Sequence, residues 1–245
     1  MRIIDCHAHL GYDHVFDHDF TARELIETYD ALGVEGAIVQ PALCRPYLDD
    51  VRAYHDAIAE LCDAHPGRFW GMASMTPHFS PDDLRAELTR CVRDLGFVGI
   101  KLTPIGHACS PSSRNGMALF ALAEELGVSL MVHTGAGVPF SAPVQLIPGV
   151  ERHPDLRVIV AHAGGELYMG ETMLLVRYDN VYFEPSWLGS QSTAKLLSAA
   201  GADRLLFSSD HASNVPTELA KYRSLADGLA LESILGLNAA TLFGL

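Results

Sequence analysis

Residues 3–9 read Ile-Ile-Asp-Cys-His-Ala-His, an apolar start followed by two histidines one residue apart. In an extended strand alternate side chains point the same way, so we expect His7 and His9 to face one direction. The apolar residues before them predict a strand that is buried along its length. The stretch therefore predicts a buried strand with two imidazoles at its C-terminal end.

The same arrangement recurs along the chain. Short apolar runs end at, or just before, a polar residue that can bind a metal or carry a proton, and helical periodicity follows each run. These residues are Lys101, His133, His162 and Asp210. Polar groups at the C-terminal ends of parallel strands predict a metalloenzyme site at the mouth of a barrel.

Eight short runs are predicted as strands, and most lack the alternation of a half-exposed sheet. They fall at residues 2–6, 36–40, 69–73, 98–101, 130–133, 157–161, 181–184 and 205–208. Strands covered on both faces indicate a parallel sheet wrapped by helices, and eight such units predict an α/β fold, a single (β/α)8 barrel. An open doubly wound sheet fits less well, because it would collect its site at one switch point.

Helix signals separate the strands. Thr21 and Glu24 form a capping box, Ser80 precedes a proline at a first helical position, and Gly127 is placed to end a helix. The segment 144–152 contains Pro148 and is predicted to be a poor helix.

Length and composition set further limits. The 245 residues predict one domain, 1–245, and 30 acidic against 17 basic residues give a net charge of −13, which disfavours nucleic acid and anionic lipid as partners. No apolar run is long enough to span a membrane, and no signal peptide is evident, so a cytoplasmic location is expected. Five widely spaced cysteines predict free thiols, with Cys6 and Cys91 packed inside.

Lys101 ends an apolar strand, where a charged group needs a partner or a chemical change. One interpretation pairs its ammonium with Asp210, Glu184 or a substrate carboxylate. The other converts it to a carbamate that bridges two metal ions.

The ordered motifs resemble the amidohydrolase superfamily, and more narrowly its compact barrels that include decarboxylases of the aminocarboxymuconate semialdehyde type. They are Asp-Cys-His-Ala-His at 5–9, Gly-Ile-Lys-Leu-Thr-Pro at 99–104, Val-His-Thr at 132–134, Ala-His-Ala-Gly-Gly at 161–165, Leu-Phe-Ser-Ser-Asp at 206–210 and Gly-Leu-Asn-Ala-Ala-Thr-Leu-Phe at 236–243. Because the chain begins just before the histidine pair, no flanking β-sandwich is expected.

The resemblance implies a divalent metal, Zn²⁺ first with Mn²⁺ or Fe²⁺ as alternatives, as one or two ions. The implied ligand positions are His7, His9, Lys101, His133, His162 and Asp210. Asp210 would take a proton from metal-bound water, and His162 would serve as a ligand, an acid/base or a substrate-orienting group.

The leading functional hypothesis is hydrolysis of a small amide, lactone or ester by metal-activated water, with Asp210, His162 and Lys101 as catalytic residues. The alternative is non-oxidative decarboxylation of a small aromatic or unsaturated acid, with one metal and His162 as proton donor. A catalytically inactive binding protein is the hypothesis from another class, and retention of the whole residue set disfavours it.

Residues after the strand ends are candidates for binding a small-molecule substrate. They are Arg45, Tyr47, His107, Arg114, Glu184, Trp187 and His211. Four other histidines fall on helices or turns away from the strand ends and are expected at the surface: His55, His65, His78 and His153. Exposed apolar helical residues could support a homodimer.

Overall fold

Eight strands join in one sheet in the computed structural model, which describes residues 1–135 and 139–245. The sheet order is β2-β1-β3-β4-β5-β6-β7-β8, and every pairing except β1 with β2 is parallel. The strands β1 to β8 are Ile4–Asp13, His18–Phe20, Gly36–Pro41, Phe69–Ser74, Gly99–Leu102, Ser129–His133, Val158–Ala161 and Val181–Glu184.

The segment 205–208 closes the sheet into a barrel. The Leu206 amide donates to the Phe183 carbonyl at 2.9 Å, and the Cys6 amide donates to the Phe207 carbonyl at 2.9 Å, so the segment lies between β8 and β1. It was predicted as a full strand, but it makes only one bridge, from Leu205 to Phe183. The predicted (β/α)8 barrel is confirmed.

Helices follow the strands on the outside of the barrel. The predicted caps are present: the Thr21 and Ser80 hydroxyls accept from amides of their first turns, and Gly127 ends its helix at φ 76°. The helices α1 to α11 are Ala22–Leu32, Leu48–Ala64, Pro81–Arg93, Pro104–His107, Arg114–Leu126, Ile147–Arg152, Met169–Leu175, Ser190–Ala200, Val215–Leu225, Gly228–Glu232 and Asn238–Phe243.

The fifth unit is irregular, as its proline predicted. A 3₁₀ turn over Pro143–Leu146 leads into α6, which has only six residues. Other single helical turns lie at the mouth and in the C-terminal region. They are the 3₁₀ turns Pro139–Ser141, His162–Gly164, Ala202–Arg204 and Ala212–Asn214, and the π-helical turn Ser233–Leu237.

A hairpin at the mouth was not predicted. β1 continues past the histidines to Asp13 and pairs antiparallel with β2. The Asp13 carboxylate fixes the connection, since it accepts from the Val15 and Phe16 amides at 2.8 Å each and from the Leu43 amide at 3.2 Å. This hairpin carries Phe20 and other side chains to the wall of the central cavity.

The core has two parts. One cluster fills the barrel, including Cys6 and Met72, and a larger one lies between the strands and the helices, including Cys91. Both cysteines are buried, as predicted. Across residues 1–135 and 139–245, the structure has no helix with the length and apolar character that a membrane crossing requires.

Candidate metal centre

A β-bulge in β1 decides where the histidine pair points. The register between β1 and β3 shifts by one residue between Asp5 and Ala8. Cys6 packs inside the barrel, so strict alternation would turn His7 outwards to the helices. The extra residue reverses the alternation, and His7 and His9 both face the mouth.

Three ligand atoms meet there in a nearly equilateral triangle. The Nε2 atoms of His7 and His9 lie 3.1 Å apart, and each lies 3.1 Å from Asp210 Oδ1. Two ligands at right angles around an ion at about 2.1 Å would lie about 3 Å apart. The spacing therefore fits three adjacent ligands of one metal ion.

The hydrogen bonds behind the triangle set the tautomers of its two neutral imidazoles. His7 Nδ1 donates to Glu184 Oε2 at 2.9 Å, and His9 Nδ1 donates to the Pro41 carbonyl at 3.2 Å. Both Nε2 atoms therefore present lone pairs to each other and to the Asp210 carboxylate. The Lys101 ammonium can donate to one of these lone pairs, whereas a metal ion among them would satisfy all three, which is the arrangement of a metal site.

Glu184 was expected to contact substrate, and its burial excludes that role. Its side chain is completely buried beneath His7. Besides the His7 ring, it accepts from the His162 amide at 3.0 Å, the Ser186 amide at 2.9 Å and the Ser208 hydroxyl. Glu184 therefore orients His7 from behind.

Asp5 has a related supporting role that the sequence reasoning missed. Its Oδ1 accepts from the His7 and Ser209 amides at 3.0 Å each, and its Oδ2 accepts from the Tyr29 hydroxyl at 2.9 Å. This carboxylate joins β1 to the segment that carries Asp210. The only available signal was its position two residues before His7.

Lys101 reaches the same centre from β5. Its side chain is 2% exposed, and Nζ lies 3.0 Å from His7 Nε2 and 3.3 Å from Met131 Sδ. Burial lowers the pKa of the ammonium to about 8, although Glu184 and Asp210 oppose the shift. Carbamylation and metal bridging by Lys101 stay predictions.

His133 and His162 lie side by side on the cavity wall, with ring centroids 4.8 Å apart. His133 Nε2 is buried and has no hydrogen-bond partner within the described part of the chain. An unpaired buried nitrogen is costly, and a metal or substrate would satisfy it. His162 Nδ1 lies 2.8 Å from Ser186 Oγ, and its ring centroid is 5.0 Å from that of His7.

The site holds its ligands in the form that binds metal. Burial, with help from the Lys101 charge, lowers the pKa of His7 to about 3, and burial also lowers the pKa of His133. For Asp210, burial raises the pKa, but neighbouring imidazoles outweigh it and bring the pKa well below its usual range. Neutral imidazoles and an ionised carboxylate are the ligating species.

A cavity of about 370 Å³ opens above this floor. Its upper wall is apolar and aromatic, formed by Phe16, Phe20, Leu43 and Ile105, while its floor carries the polar set. Lys101 is the only lysine or arginine among the described residues that line it.

Of the other expected substrate residues, His211 lines the cavity. His107 instead lines a neighbouring cavity of about 260 Å³, and its Nδ1 accepts from the Thr103 amide at 3.2 Å. Trp187 lies beside Asp210, with its indole Nε1 2.8 Å from Oδ2.

Like His107, Glu184 and Trp187, three further expected substrate residues do not line the central cavity: Arg45, Tyr47 and Arg114. Arg45 is exposed and forms an ion pair with Asp50 at 2.7 Å. Tyr47 is 64% exposed at the start of α2, and Arg114 is exposed in the first turn of α5. These three side chains therefore lie at the protein surface and not in the wall of the central cavity.

Chain turns at the strand ends are conformationally strained. His162, Trp187 and Asp210 have φ values of 60°, 64° and 66°, in the left-handed region that non-glycine residues seldom adopt. Such residues collect at functional sites, where surrounding contacts hold them in place.

Comparison with known proteins places these motifs in a family. The family model described as Amidohydrolase matches residues 4–245. The 2-keto-4-carboxy-3-hexenedioate hydratase of a Sphingobium species is 32% identical over 227 residues, covering 67% of this chain and 66% of its own. The γ-resorcylate decarboxylase of Rhizobium radiobacter is 26% identical over 249 residues, covering 76% and 75%.

Matches to the curated relatives span between 16% and 75% of the relatives' own length. Among solved structures, a dihydroxybenzoic acid decarboxylase from Polaromonas, with bound manganese and the inhibitor 2-nitroresorcinol, superimposes with a TM-score of 0.78 at 19% identity. It covers 99% of this chain and 97% of its own, and at this identity it supports the fold alone.

The leading hypothesis of hydrolysis is wrong. The relatives are named for decarboxylation, in several cases, and for hydration in one. These reactions break or form C–C and C–O bonds without hydrolysing an amide, lactone or ester. The hydrolase hypothesis had been preferred because the predicted bridging role of Lys101 weighed against the decarboxylase alternative, and that role by itself does not decide the reaction.

Proposed function

This chain belongs to the amidohydrolase family, and from that premise we propose that it is a metal-dependent, non-oxidative decarboxylase of small carboxylic acids. The observation that carries the proposal is the pairing of a metal-ligand triangle with one buried ammonium. His7, His9 and Asp210 supply the triangle, and Lys101 Nζ lies 3.0 Å from its nearest corner. Relatives that decarboxylate γ-resorcylate support this choice of reaction.

The residues present fit a divalent metal. His7, His9 and Asp210 would hold it, and the unpaired Nε2 of His133 is an additional donor on the same wall. Nitrogen and carboxylate donors suit Mn²⁺ and Zn²⁺, and the Polaromonas structure contains manganese. When bound, the metal would polarise an oxygen of the substrate next to the bond that breaks.

Lys101 is assigned to the substrate carboxylate. It is the one lysine or arginine among the described lining residues, and the carboxylate of an acid entering the cavity needs a cation at the floor. A buried ammonium meets that need because the local dielectric is low. In this role Lys101 keeps an unmodified ammonium and is not carbamylated.

His162 is assigned as the proton donor. Its Nδ1 is engaged by Ser186, which leaves the other ring nitrogen for the substrate. The proton goes to the carbon that bears the carboxylate, the C–C bond then breaks, and its electron pair returns to the unsaturated system as CO₂ leaves. The apolar wall excludes water from the charged transition state.

The charges of the residues that line the cavity favour a substrate with one carboxylate and an aromatic or unsaturated carbon skeleton. Phe16 and Phe20 offer faces against which a planar ring can pack. A substrate with several carboxylates would need further fixed cations, and apart from the metal and the histidines the described lining residues offer only Lys101. Hydration, suggested by the 32% identity of the Sphingobium hydratase, is the second candidate, and the polyacid named in that relative fits this cavity less well.

The test measures CO₂ released from 2,6-dihydroxybenzoate by protein loaded with Mn²⁺ or Zn²⁺. We expect metal-dependent release that chelation removes. A panel of ortho-hydroxybenzoates and unsaturated monoacids extends the test. If no acid in that panel releases CO₂ while an unsaturated diacid gains the mass of one water, the chain is a hydratase and the proposal fails.

A further inference from the structure

We propose that Trp187 is a positioning residue that holds one oxygen of Asp210 so that the other faces the metal. The indole Nε1 donates to Asp210 Oδ2 at 2.8 Å, whereas Oδ1 lies 3.1 Å from the Nε2 atoms of His7 and His9. The two oxygens therefore have different partners, one belonging to the protein and one directed at the ligand triangle. The inference rests on the metal site of the proposed function.

The main chain of Trp187 is fixed from outside the site. Its amide donates to Glu218 Oε1 at 3.0 Å, which holds the residue at φ 64°. Lys221 donates to the carbonyls of Pro185 at 2.7 Å and Leu188 at 3.0 Å, and it pairs with Glu218 Oε2 at 2.5 Å. The buried Glu218–Lys221 pair on α9 therefore clamps residues 185–188.

This clamp explains how an exposed indole can have a defined position. Trp187 is 55% exposed, so burial does not fix its ring, which is held by the clamped main chain, the bond to Asp210 and an edge contact with His211. An exposed tryptophan at a mouth could serve as a surface for substrate, but Trp187 is absent from the described residues that line the central cavity. Its polar contact is with the carboxylate.

No neighbouring group among the described residues duplicates the indole bond. His211 Nε2 lies 3.7 Å from Asp210 Oδ2, beyond hydrogen-bond distance, and its ring packs edge-on against the indole with centroids 5.5 Å apart. Without the indole, the Asp210 carboxylate can rotate about its terminal bond and lose its single orientation. Removing a partner that orients a metal ligand lowers metal affinity by about 10- to 100-fold.

The primary experiment compares Trp187→Phe with Trp70→Phe, the matched change at the chain's other tryptophan. Each chelator-stripped protein is titrated with Zn²⁺ against a chromophoric chelator, after thermal melts have established folding. We expect Trp187→Phe to bind Zn²⁺ about 10- to 100-fold more weakly, and Trp70→Phe to stay within about twofold of wild type. A Trp187→Phe affinity within twofold of wild type overturns the inference.

A second readout leaves Trp187 intact. In Trp70→Phe protein, Trp187 is the sole tryptophan, and its emission should change saturably with Zn²⁺ as the carboxylate shares its charge with the ion. An emission that does not respond while Zn²⁺ binds overturns the inference and leaves the proposed metal site standing. Failure of the wild type to bind Zn²⁺ or Mn²⁺ overturns both.

Discussion

Among the clusters of described residues that combine histidine with a carboxylate, the one at the mouth and the one between α2 and α3 differ in how their hydrogen bonds balance. The mouth cluster contains His7, His9 and Asp210. The α2–α3 cluster contains His55, Glu87 and Cys91, all completely buried between two helices. Both bring three possible metal ligands within 4.8 Å of one another.

The α2–α3 cluster has a donor for every acceptor. His55 Nδ1 donates to Glu87 Oε1 at 2.7 Å, and its Nε2 accepts from the Ser74 amide at 3.1 Å. Arg52 and Arg90 donate to the same carboxylate at 2.7–3.1 Å. Nothing is left to bind an ion, so this cluster joins two helices to the end of β4.

At the mouth, by contrast, hydrogen-bond acceptors outnumber donors, and the acceptors without a donor face an open cavity. The comparison teaches that residue type and proximity are insufficient to identify a metal site. Unbalanced lone pairs beside accessible space are the distinguishing feature. The following predictions test this difference.

The largest expected effect is on turnover. Asp210→Asn should reduce CO₂ release by about 10³-fold, because the charge that complements the metal and the reacting groups is lost. Glu87→Gln, the matched change in the other cluster, should leave turnover within about twofold. Equal losses in the two variants would remove the functional distinction between the clusters.

The free energy of unfolding should depend more on the α2–α3 cluster than on the mouth cluster, the reverse of the order expected for turnover. Glu87→Ala leaves His55, Arg52 and Arg90 without their buried carboxylate, and the free energy of unfolding should fall by about 3–5 kcal/mol. Asp210→Asn keeps a side chain of the same size whose oxygen can still accept from the Trp187 indole, so the free energy of unfolding of the metal-free protein should change much less. Urea unfolding of both variants measures the difference, and an Asp210→Asn protein as destabilised as Glu87→Ala would contradict it.

Metal should stabilise the protein through the mouth cluster alone. Free Mn²⁺ at 100 times its dissociation constant should raise the free energy of unfolding by about 2.7 kcal/mol. Cys91→Ala should keep this gain and His9→Ala should lose it, as measured by urea unfolding with and without metal. A gain that depends on Cys91 would reassign the metal to the α2–α3 cluster.

The smallest expected effect is on the stability of the protein at acid pH. Burial raises the pKa of Glu87, but hydrogen bonds from His55 and Arg90 outweigh it and bring the pKa below its ordinary value of 4.5. A depressed carboxyl pKa contributes stability above the unfolded value and loses it as pH falls through the folded value. Wild type should therefore lose stability more steeply than Glu87→Gln as pH falls below about 4.5, in urea titrations at successive pH values. Parallel curves would contradict this assignment.

The barrel was predictable from the sequence because its signals are local. Apolar runs, the cap at Thr21 and the stop at Gly127 act within a few residues, and the polar residues at the strand ends marked the mouth. The hairpin of β2 was missed because its three residues are polar or aromatic and carry no alternating pattern.

The predictions that were wrong concern residues whose hydrogen-bond partners are distant in sequence. His55 was expected at the surface and is buried, because Glu87, 32 residues away, supplies its bond. Glu184 looked available to substrate and instead lies under His7, 177 residues away. Neither pairing leaves a trace in the spacing along the chain.

The bulge between Asp5 and Ala8 has a further consequence for how this chain tolerates insertions and deletions. Removing one residue there would restore regular alternation and rotate either the histidine pair or the barrel-filling side chains to the wrong face. The centre therefore depends on the residue count of β1 as much as on residue identity. A protein that preserves every histidine but lacks this extra residue would keep the motif and lose the site.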